Sequence, residues 1–517
     1  MSAQAHPEAG LDPVRDARPI RPGERIHVVG AAGAGASAAA LHATWAGATV
    51  DGCDPGGPSP YTPAVESAGI ALAWEHDPSH VRRTPPPDRL AVTKALTAIA
   101  PDHPELVAAR SAGIPIEAWQ QVIADAAVGR TLVGVAGTHG KSTTAGWLVH
   151  VLVEAGLDPA AFVGALLPSV LTGGIGPATA RRGDGDAFVV EADEYAGNFD
   201  AYRPSIAIVT SAEWDHPDVF PDRTAVIDVL EAWIRRMVGA GDAPPILVAN
   251  VGDAGVADLV RRLRDWPGRL IATAVTDDDP NVLEERIRLS CPTGQGEPRV
   301  ILGRVTVRDP DGTALEIEGS LIGTAKVRIR MAGVHNAANA LGVLGAAQAF
   351  HVPTQRTLAA LASFDGVGRR LERKGQAGGV VVFDDYGHHP TAIRATLDAV
   401  RQREPGHRVW AVYEPLTYHR TAAFLDDFAE VLAAADGAVI ADIWAGRDPD
   451  TTIASADGLA QAVARRNPTI PVAAPGSVEA TSAWLAREVR PGDVVLVMGG
   501  GRSYRIGALL LEALADR

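Results

Sequence analysis

The fold is decided by the stretch TLVGVAGTHGKSTTAGWLVHVLVEAGL, residues 131–157. Its first residues are apolar and predict a buried strand, and a loop containing Gly137 and Gly140 follows. Apolar residues then recur at helical spacing until Gly156, which predicts a helix that ends there. A strand, a glycine-containing loop and a helix form the repeating unit of α/β proteins. The stretch therefore predicts a parallel sheet covered by helices.

The same alternation continues on both sides of this stretch. Before it, residues 26–53 read as a strand, a glycine–alanine turn, an alanine-rich helix and a second strand. After it, further strand patterns occur in the segments AFVVEADEY, SIAIVTSAEWDH, GVVVFDDYGHHP, RVWAVYEP and DVVLVMGGG. We predict three consecutive α/β domains: a Rossmann-like N-terminal domain (1–130), a P-loop ATPase-like central domain (131–352) and a Rossmann-like C-terminal domain (353–517). About the first 24 residues are polar and proline-rich and are expected to form a loose lead-in.

Composition narrows the class of protein. The 517 residues are 46% hydrophobic and 21% charged, which is typical of a globular protein with several domains. The formal net charge of −15 argues against a nucleic-acid partner, because binding the phosphate backbone normally needs a basic face. The sequence has neither an apolar run of about 20 residues nor a signal peptide, so we expect no membrane span and no export. Cys53 and Cys291 lie far apart in sequence and are expected to form neither a disulfide nor a zinc site.

The loop after the first quoted strand is typical of phosphate binding. Its backbone N–H groups and the following helix N-terminus favour an anion, a lysine neutralises phosphate charge and a serine hydroxyl can hold magnesium. The alternative is an ordinary glycine-rich turn with an exposed lysine. The candidate residues are Gly137, Thr138, His139, Gly140, Lys141, Ser142 and Thr143.

Acidic and histidine side chains follow the next two strand patterns. Glu191, Asp193 and Glu194 end the first pattern, and Asp215 and His216 end the second. Ligands bind at the carboxyl ends of strands in an open α/β sheet, and a hard cation beside nucleotide phosphates takes oxygen ligands. The alternatives are that the acids cap a helix and that the histidine is structural.

The outer domains each carry one further polar segment. In the first, the glycine loop at residues 30–35 allows a backbone to approach a diphosphate, and Asp51 or Asp54 follows about 20 residues later. Close packing of an alanine-rich helix on its strand explains the same glycines. In the third, the segment DDYGHHP at residues 384–390 directly follows an apolar strand and predicts a site. Arg369 and Arg370 either form a solvated pair or reach into a cleft and bind phosphate.

Taken together and in this order, these motifs resemble those of the Mur ligases over nearly the whole chain from His27. IHVVGAAGAGAS is similar to the family's uridine-diphosphate loop, GTHGKSTT to its ATP loop, EADE to its magnesium acid and EWDHP to its second metal site. GVHNAANALG is similar to the segment that holds adenine and ribose, and GVGRRLE, DDYGHHP and GDVVLVMGGG complete the resemblance.

The resemblance implies roles for individual residues. Lys141 and Ser142 would serve the ATP phosphates and a first magnesium ion, with Glu191 on that ion and His216 on a second. The remaining implied contacts fall into four groups: His335, Asn336 and Asn339 with Asp385 on the nucleotide; Gly33, Gly35, Ser37 and Asp54 on the uridine diphosphate; Tyr386, His388 and Arg420 around the amino acid; and Arg369 near the phosphate when the domains close. His388 is also the candidate base for the attacking amine, by residue type.

The resemblance also implies an activity. ATP, with Mg²⁺, would phosphorylate the carboxylate of UDP-N-acetylmuramate, and L-alanine would attack the resulting acyl phosphate, as a step of cytoplasmic peptidoglycan precursor synthesis. Three alternatives stay open: a related ligase that attaches a preformed tripeptide to the same sugar nucleotide, an ATP-binding regulator without catalysis, and a nicotinamide-dependent oxidoreductase read from the first domain alone. The sequence leaves the oligomeric state open.

Overall fold

The computed structural model describes residues 11–276, 287, 297–320, 322–446, 448 and 450–516. Three sheets follow one another along the chain, and helices cover them. The predicted fold class, three consecutive α/β domains, is confirmed. Within the described residues, no helix combines the length and the apolar character needed to cross a bilayer. Cys291, for which the sequence predicts no disulfide or zinc role, lies outside the described residues.

The first domain is a five-stranded parallel sheet in the order β3-β2-β1-β4-β5. Its strands are β1 (Arg25–Val29), β2 (Thr49–Cys53), β3 (Ala71–Ala73), β4 (Arg89–Val92) and β5 (Ile116–Ala118). Its helices are α1 (Ala34–Trp45), α2 (Thr62–Ser67), α3 (Ser79–Arg82), α4 (Lys94–Ile99), α5 (Pro104–Ser111) and α6 (Trp119–Ala126). The reversal of strand order at β1 and β4 creates a crevice at the strands' carboxyl ends.

The described part of the lead-in is fixed to this domain. Asp12 and Ile116 exchange two hydrogen bonds, and the Arg15 guanidinium pairs with Glu117 at 2.6 Å and with Asp125 at 2.7 Å. The sequence prediction of a loose lead-in is therefore wrong for residues 11–24. The physical reason is that Arg15 neutralises carboxylates that are largely buried in the domain.

The central domain contains the quoted stretch and a ten-stranded sheet in the order β15-β14-β13-β12-β11-β10-β6-β9-β7-β8. Its strands are β6 (Thr131–Ala136), β7 (Ala160–Leu167), β8 (Ala178–Arg181), β9 (Ala187–Glu191), β10 (Ile206–Val209), β11 (Ile246–Asn250), β12 (Arg269–Val275), β13 (Arg299–Asp309), β14 (Gly312–Gly319) and β15 (Gly323–Ile329). Its helices are α7 (Lys141–Glu154), a 3₁₀ helix (Tyr195–Ala201), α8 (Arg223–Arg235), α9 (Ala254–Arg262), α10 (Val334–Ala349) and α11 (Thr354–Ser363). Strands β6, β9, β10 and β11 run parallel, so their carboxyl ends lie on one edge.

The first and central domains share one hydrophobic core. The alanines of α1 let this helix approach β7 and β8 closely, and Trp119 meets Phe162 edge to face with ring centroids 5.2 Å apart. His42 on α1 is buried and donates from Nε2 to the Ala161 carbonyl at 2.9 Å. These two domains therefore form one packed unit.

The third domain is a six-stranded sheet in the order β16-β17-β21-β18-β19-β20, parallel apart from the edge strand β16. Its strands are β16 (Glu372–Ala377), β17 (Val380–Asp385), β18 (Val409–Glu414), β19 (Gly437–Ala441), β20 (Val472–Gly476) and β21 (Val494–Gly499). Its helices are α12 (Pro390–Arg403), α13 (Tyr418–Ala423), α14 (Leu425–Leu432), α15 (Ala456–Arg466), α16 (Val478–Glu488) and α17 (Tyr504–Ala515).

The boundary between the second and third domains was predicted at residue 352, immediately before α11. The apolar residues of α11 belong to the central core, and Phe364 stacks on Trp147 of α7 with centroids 5.0 Å apart. We therefore propose that the division falls after this helix, in the segment 365–368.

Candidate active site

The phosphate-type loop is held rigidly between β6 and α7. Gly137 has φ +127°, and a Cβ there would lie 2.4 Å from the Thr210 hydroxyl, so only glycine fits. The loop amide of His139 donates to the Ser211 hydroxyl at 2.9 Å, and the Thr210 hydroxyl donates to the His139 carbonyl. Gly140, with φ +80°, is the N-cap residue directly before α7. This geometry leaves the N-terminus of α7 open to an anion.

Lys141 lies among carboxylates at the start of α7. Its Nζ donates to the Gly137 carbonyl at 2.7 Å and lies 3.0 Å from Glu194 Oε2 and 3.4 Å from Asp193 Oδ1. Burial alone would lower the pKa of Lys141, but these carboxylates and Glu191 raise it above its usual value. Lys141 therefore stays positively charged.

The phosphate loop opens onto a cavity between the three domains, and predicted metal residues lie around it. Glu191 lines it and accepts from the Gly164 amide at 2.7 Å, and Asp193, Glu194 and His216 offer ligand atoms within 4.8 Å of one another. Carboxylate oxygens beside a phosphate loop suit a hard cation, so these residues fit Mg²⁺. The Ser142 hydroxyl is buried and accepts from Arg370 Nη2 at 2.8 Å.

The third domain closes this cavity through a buried ion pair. Arg420 is 2% exposed, lies 2.7 Å from Asp215 and donates to His216 Nδ1 at 3.2 Å. Burial alone would raise the pKa of Asp215, but the guanidinium holds it well below its usual value. Thr391 adds a second link, because its hydroxyl donates to Glu213 at 2.7 Å. The predicted residues Arg420 and His216 are thus brought together from two domains.

The cavity has a volume of about 330 Å³ and is lined by residues of all three domains. His388 donates from Nδ1 to the Tyr386 carbonyl at 2.9 Å, so its Nε2 is left as an acceptor, 4.0 Å from Asp215. Burial and the Arg420 charge lower the pKa of His388 well below its usual value, so its imidazole is neutral at pH 7. The predicted residues that line the cavity are Thr138, His139, Gly140, Lys141, Glu191, His216, Asp385, Tyr386, His388 and Arg420.

A second cavity of about 200 Å³ continues from the phosphate loop between the central and third domains. Asn336 is buried, donates to the Ala332 carbonyl at 2.7 Å and accepts from Asn339 at 3.3 Å. Asp385 is tied down by the amides of Leu371 and Gly387, both at 2.7 Å. The predicted residues on its wall are His139, Gly140, Thr143, His335, Asn336, Asn339 and Asp385.

A third cavity, of about 890 Å³, lies between the first and third domains. Gly33 and Asp54 line it, and the Asp54 carboxylate accepts from the amides of Ala32 at 3.1 Å and Gly56 at 2.9 Å. Asp54 thus shapes the glycine loop at the N-terminus of α1. The third-domain wall of this cavity is not predicted by the sequence motifs, and it contains Trp444, Arg502, Tyr504 and Arg505.

Two predicted residues of the first loop do not line this cavity. A Cβ at Gly35 would lie 2.1 Å from the Trp119 ring, so this glycine permits packing. Ser37 is buried against the central domain, where its hydroxyl lies 3.2 Å from that of Thr179. Both positions face inward because helix α1 has already begun at Ala34.

Arg369, predicted near the phosphate, points elsewhere. It binds Asp384 at 3.0 Å, the Gly499 carbonyl at 2.8 Å and the Ser503 hydroxyl at 2.7 Å, all within the third domain. In this arrangement of the domains Arg369 does not reach the phosphate loop, and Arg370 is the arginine that does. The reason is local: Arg369 has φ +58°, and this turn sends adjacent side chains in different directions.

A phosphate loop that opens onto an acid-rich cavity between three α/β domains defines a nucleotide-using enzyme. Three family descriptions match the chain: "Mur ligase family, catalytic domain" over residues 25–131, "Mur ligase middle domain" over 135–347 and "Mur ligase, glutamate ligase domain" over 369–501.

Individual proteins agree with these matches. The chain is 35% identical to the UDP-N-acetylmuramate--L-alanine ligase of Frankia casuarinae, covering 95% of this chain and 98% of that protein. It is 35% identical to the protein of the same name from Mycobacterium avium, covering 96% of each. The solved structure of UDP-N-acetylmuramate-alanine ligase from Thermotoga maritima shares the fold, with a TM-score of 0.73, 21% identity and coverage of 94% and 98% of the two chains. A murein peptide ligase from Psychrobacter arcticus also shares it, with a TM-score of 0.69, 24% identity and coverage of 96% and 99%.

The chain belongs to the Mur ligase family. The resemblance inferred from the motifs is confirmed, and the chain is an ATP-dependent ligase. Membership of this family excludes the alternative of a nicotinamide-dependent oxidoreductase.

Proposed function

We propose that this chain uses ATP to join L-alanine to the carboxylate of UDP-N-acetylmuramate in peptidoglycan precursor synthesis. The main support for the proposal is that Tyr386, His388 and Arg420 of the third domain line the same cavity as Lys141. An amine held by the third domain therefore meets a carboxylate activated at the phosphate loop. The 35% identity to ligases of this name supports the same substrates.

The sugar nucleotide occupies the cavity between the first and third domains. Its diphosphate lies at the N-terminus of α1, where Gly33 allows close backbone approach and Asp54 shapes the loop. ATP occupies the cavity at the other end of the phosphate loop, next to His335, Asn336, Asn339 and Asp385. The two substrates then meet beside Lys141.

The chemistry requires an activated carboxylate, because oxide is a poor leaving group. The γ-phosphoryl group of ATP is transferred to the carboxylate, the amine of alanine attacks the acyl phosphate, and phosphate leaves. Lys141 and Arg370 neutralise negative charge on the transferring oxygens. Mg²⁺ would supply further charge neutralisation when bound: the Ser142 hydroxyl and Glu191 would hold a first ion, and His216, with Asp193 and Glu194 beside it, would hold a second.

The attacking amine must lose a proton before it becomes a nucleophile. His388 lines the cavity and is neutral, and its Nε2 is left as an acceptor because Nδ1 donates to the Tyr386 carbonyl. It accepts the proton of the alanine ammonium. The third domain excludes water from the acyl phosphate.

We also propose that the reaction takes place in the cytoplasm and that the chain has no nucleic-acid or membrane partner.

Phosphate release tests the proposal. The purified chain is given ATP, Mg²⁺ and UDP-N-acetylmuramate, with L-alanine, glycine, L-serine, the tripeptide or no acceptor. Release that requires both the sugar nucleotide and L-alanine supports the proposal. Turnover with the tripeptide but not with alanine identifies the related ligase that attaches a preformed tripeptide. No turnover with any acceptor identifies a non-catalytic ATP-binding protein.

A further inference from the structure

A second group of metal-ligand side chains lies in the first domain, apart from the phosphate loop. It consists of His27 on β1, Cys53 at the end of β2, His80 on α3 and Glu105 on α5. Each offers one ligand atom, and these atoms all lie within 4.8 Å of one another. His27 and Glu105 are 1% and 0% exposed, and Cys53 is 0% exposed. The fold thus gathers an imidazole pair, a thiol and a carboxylate from four separate elements.

The spacing of these atoms matches a small coordination polyhedron. Cys53 Sγ lies 3.4 Å from His27 Nε2 and 3.3 Å from Glu105 Oε2, and His27 Nε2 lies 3.9 Å from Glu105 Oε1. A tetrahedron with zinc–ligand distances of about 2.0–2.3 Å has edges of roughly 3.3–3.8 Å. His80 Nδ1 lies 2.6 Å from Glu105 Oε1, a hydrogen bond that opens when both atoms coordinate.

The buried carboxylate of Glu105 also favours a bound cation. Its fully buried carboxylate is surrounded by the thiol of Cys53, by imidazoles and by the Asp77 amide, and no lysine or arginine in the described part of the chain pairs with it. A buried carboxylate that no permanently charged side chain pairs with is unfavourable unless another cation compensates its charge. A divalent cation among these ligands removes that cost.

An outer hydrogen bond orients the histidine on β1. His27 Nδ1 donates to Asp51 Oδ1 at 3.1 Å, and Arg83 Nη2 holds the same carboxylate oxygen at 2.9 Å. This contact leaves the Nε2 lone pair of His27 directed at Cys53. A carboxylate behind a ligating imidazole is the usual support of a histidine–metal bond.

We propose that His27, Cys53, His80 and Glu105 bind one Zn²⁺ ion that stabilises the first domain. A thiolate with imidazoles and a carboxylate selects zinc over Mg²⁺ or Ca²⁺, which take oxygen ligands. Binding displaces the proton of the Cys53 thiol to solvent. The sequence prediction of no zinc site considered only the spacing of the cysteines, whereas one cysteine combines here with ligands of other types.

The site is connected to the sugar-nucleotide cavity. The Cys53 carbonyl accepts from the amides of Gly30 at 2.9 Å and Ala31 at 3.1 Å, so the ligand residue also holds the glycine loop. His76 lines that cavity and lies 3.3 Å from Cys53 Sγ. The ion therefore fixes the end of β2 from which the loop contacts are made.

Metal content and cobalt spectroscopy test the proposal on the full chain. We expect one zinc per purified chain, and after exchange with Co²⁺ an intense thiolate-to-cobalt absorption band. Both should be lost in Cys53→Ser and in His27→Ala. Both should persist in Cys291→Ser, which removes the other thiol, and in His216→Ala, which removes a histidine of the active-site cavity.

Stability gives a second readout that does not depend on catalysis. Because zinc binding stabilises the folded chain, a chelator should lower its melting temperature by on the order of several degrees and should not affect Cys53→Ser. A chain that holds no stoichiometric zinc and shows no thiolate band with Co²⁺ overturns the proposal. So does a band that survives in Cys53→Ser. Neither outcome bears on phosphate release, which tests the ligase activity separately.

Discussion

Arg370 donates a hydrogen bond from Nη2 to the hydroxyl of Ser142 over 2.8 Å. Ser142 is in the first turn of α7 in the central domain, and Arg370 lies two residues before the first strand of the third domain. The guanidinium also lies over the Tyr386 ring, 5.0 Å from its centroid. The contact brings a positive charge from the third domain to the phosphate loop.

Removing this charge should impair catalysis more than folding. In Arg370→Ala we expect kcat to fall by on the order of 10²-fold, because the charge that develops on the transferred phosphoryl group loses one of its stabilising partners. Arg373→Ala, which removes an exposed arginine nearby, should retain full activity. Steady-state kinetics compare the two, and an Arg370→Ala enzyme with unchanged kcat would contradict this role.

Arg369 should behave differently, as a structural residue. In Arg369→Leu the 1% exposed carboxylate of Asp384 loses its ion-pair partner, so we expect the free energy of unfolding to fall by about 3–5 kcal/mol. Urea unfolding of the wild type and the variant measures this difference. A stable variant with a large loss of kcat would show instead that Arg369 acts at the phosphate.

The glycine loop depends on the Asp54 carboxylate. Asp54→Ala removes the acceptor of the Ala32 and Gly56 amides, so the loop loses its shape where the sugar nucleotide is proposed to bind. We expect the KM for UDP-N-acetylmuramate to rise by on the order of 10-fold, with the KM for ATP nearly unchanged. Glu66→Ala, an exposed change on α2, is the matched control. Equal changes in both KM values would argue against this assignment.

The stability of the interface between the first two domains should depend on pH through His42. Burial lowers the pKa of His42 from 6.5 to about 4. Between these values the unfolded chain binds a proton that the folded chain does not, so the free energy of unfolding falls as the pH falls. This contribution reaches roughly 3 kcal/mol near pH 4 and is absent above pH 7.

His42→Gln tests this because the amide can still donate to the Ala161 carbonyl but does not titrate. The loss of unfolding free energy between pH 7 and pH 5 should be smaller in this variant than in the wild type. His407→Gln, which alters an exposed histidine, should show the wild-type pH dependence. An identical pH dependence in His42→Gln would rule out His42 as the cause.

The parts of the site that the sequence predicted are local. Lys141 follows a strand and a glycine loop within a few residues. Glu191 ends β9 and His216 comes after β10, two strands whose carboxyl ends share one edge of the sheet. Strand order is therefore enough to bring them together. The same holds for Tyr386 and His388, which follow β17 directly.

The parts that the sequence missed depend on side-chain direction or on distant segments. Neighbouring arginines at 369 and 370 look alike in sequence, and only the backbone turn shows which one reaches Ser142. Gly35 and Ser37 fit a loop motif but already lie in helix α1. The cluster of His27, Cys53, His80 and Glu105 draws its members from four elements, so no local spacing reveals it.

The most direct test of the ligase mechanism follows the oxygen atoms of the sugar acid. UDP-N-acetylmuramate labelled with ¹⁸O in its carboxylate is incubated with the chain, ATP, Mg²⁺ and L-alanine, and the released phosphate and the product are analysed by mass spectrometry. The proposed acyl phosphate predicts that each phosphate carries one ¹⁸O and that the product is the alanine amide of the sugar nucleotide. Amide product accompanied by unlabelled phosphate would contradict the mechanism, and the absence of amide product would contradict the proposed function.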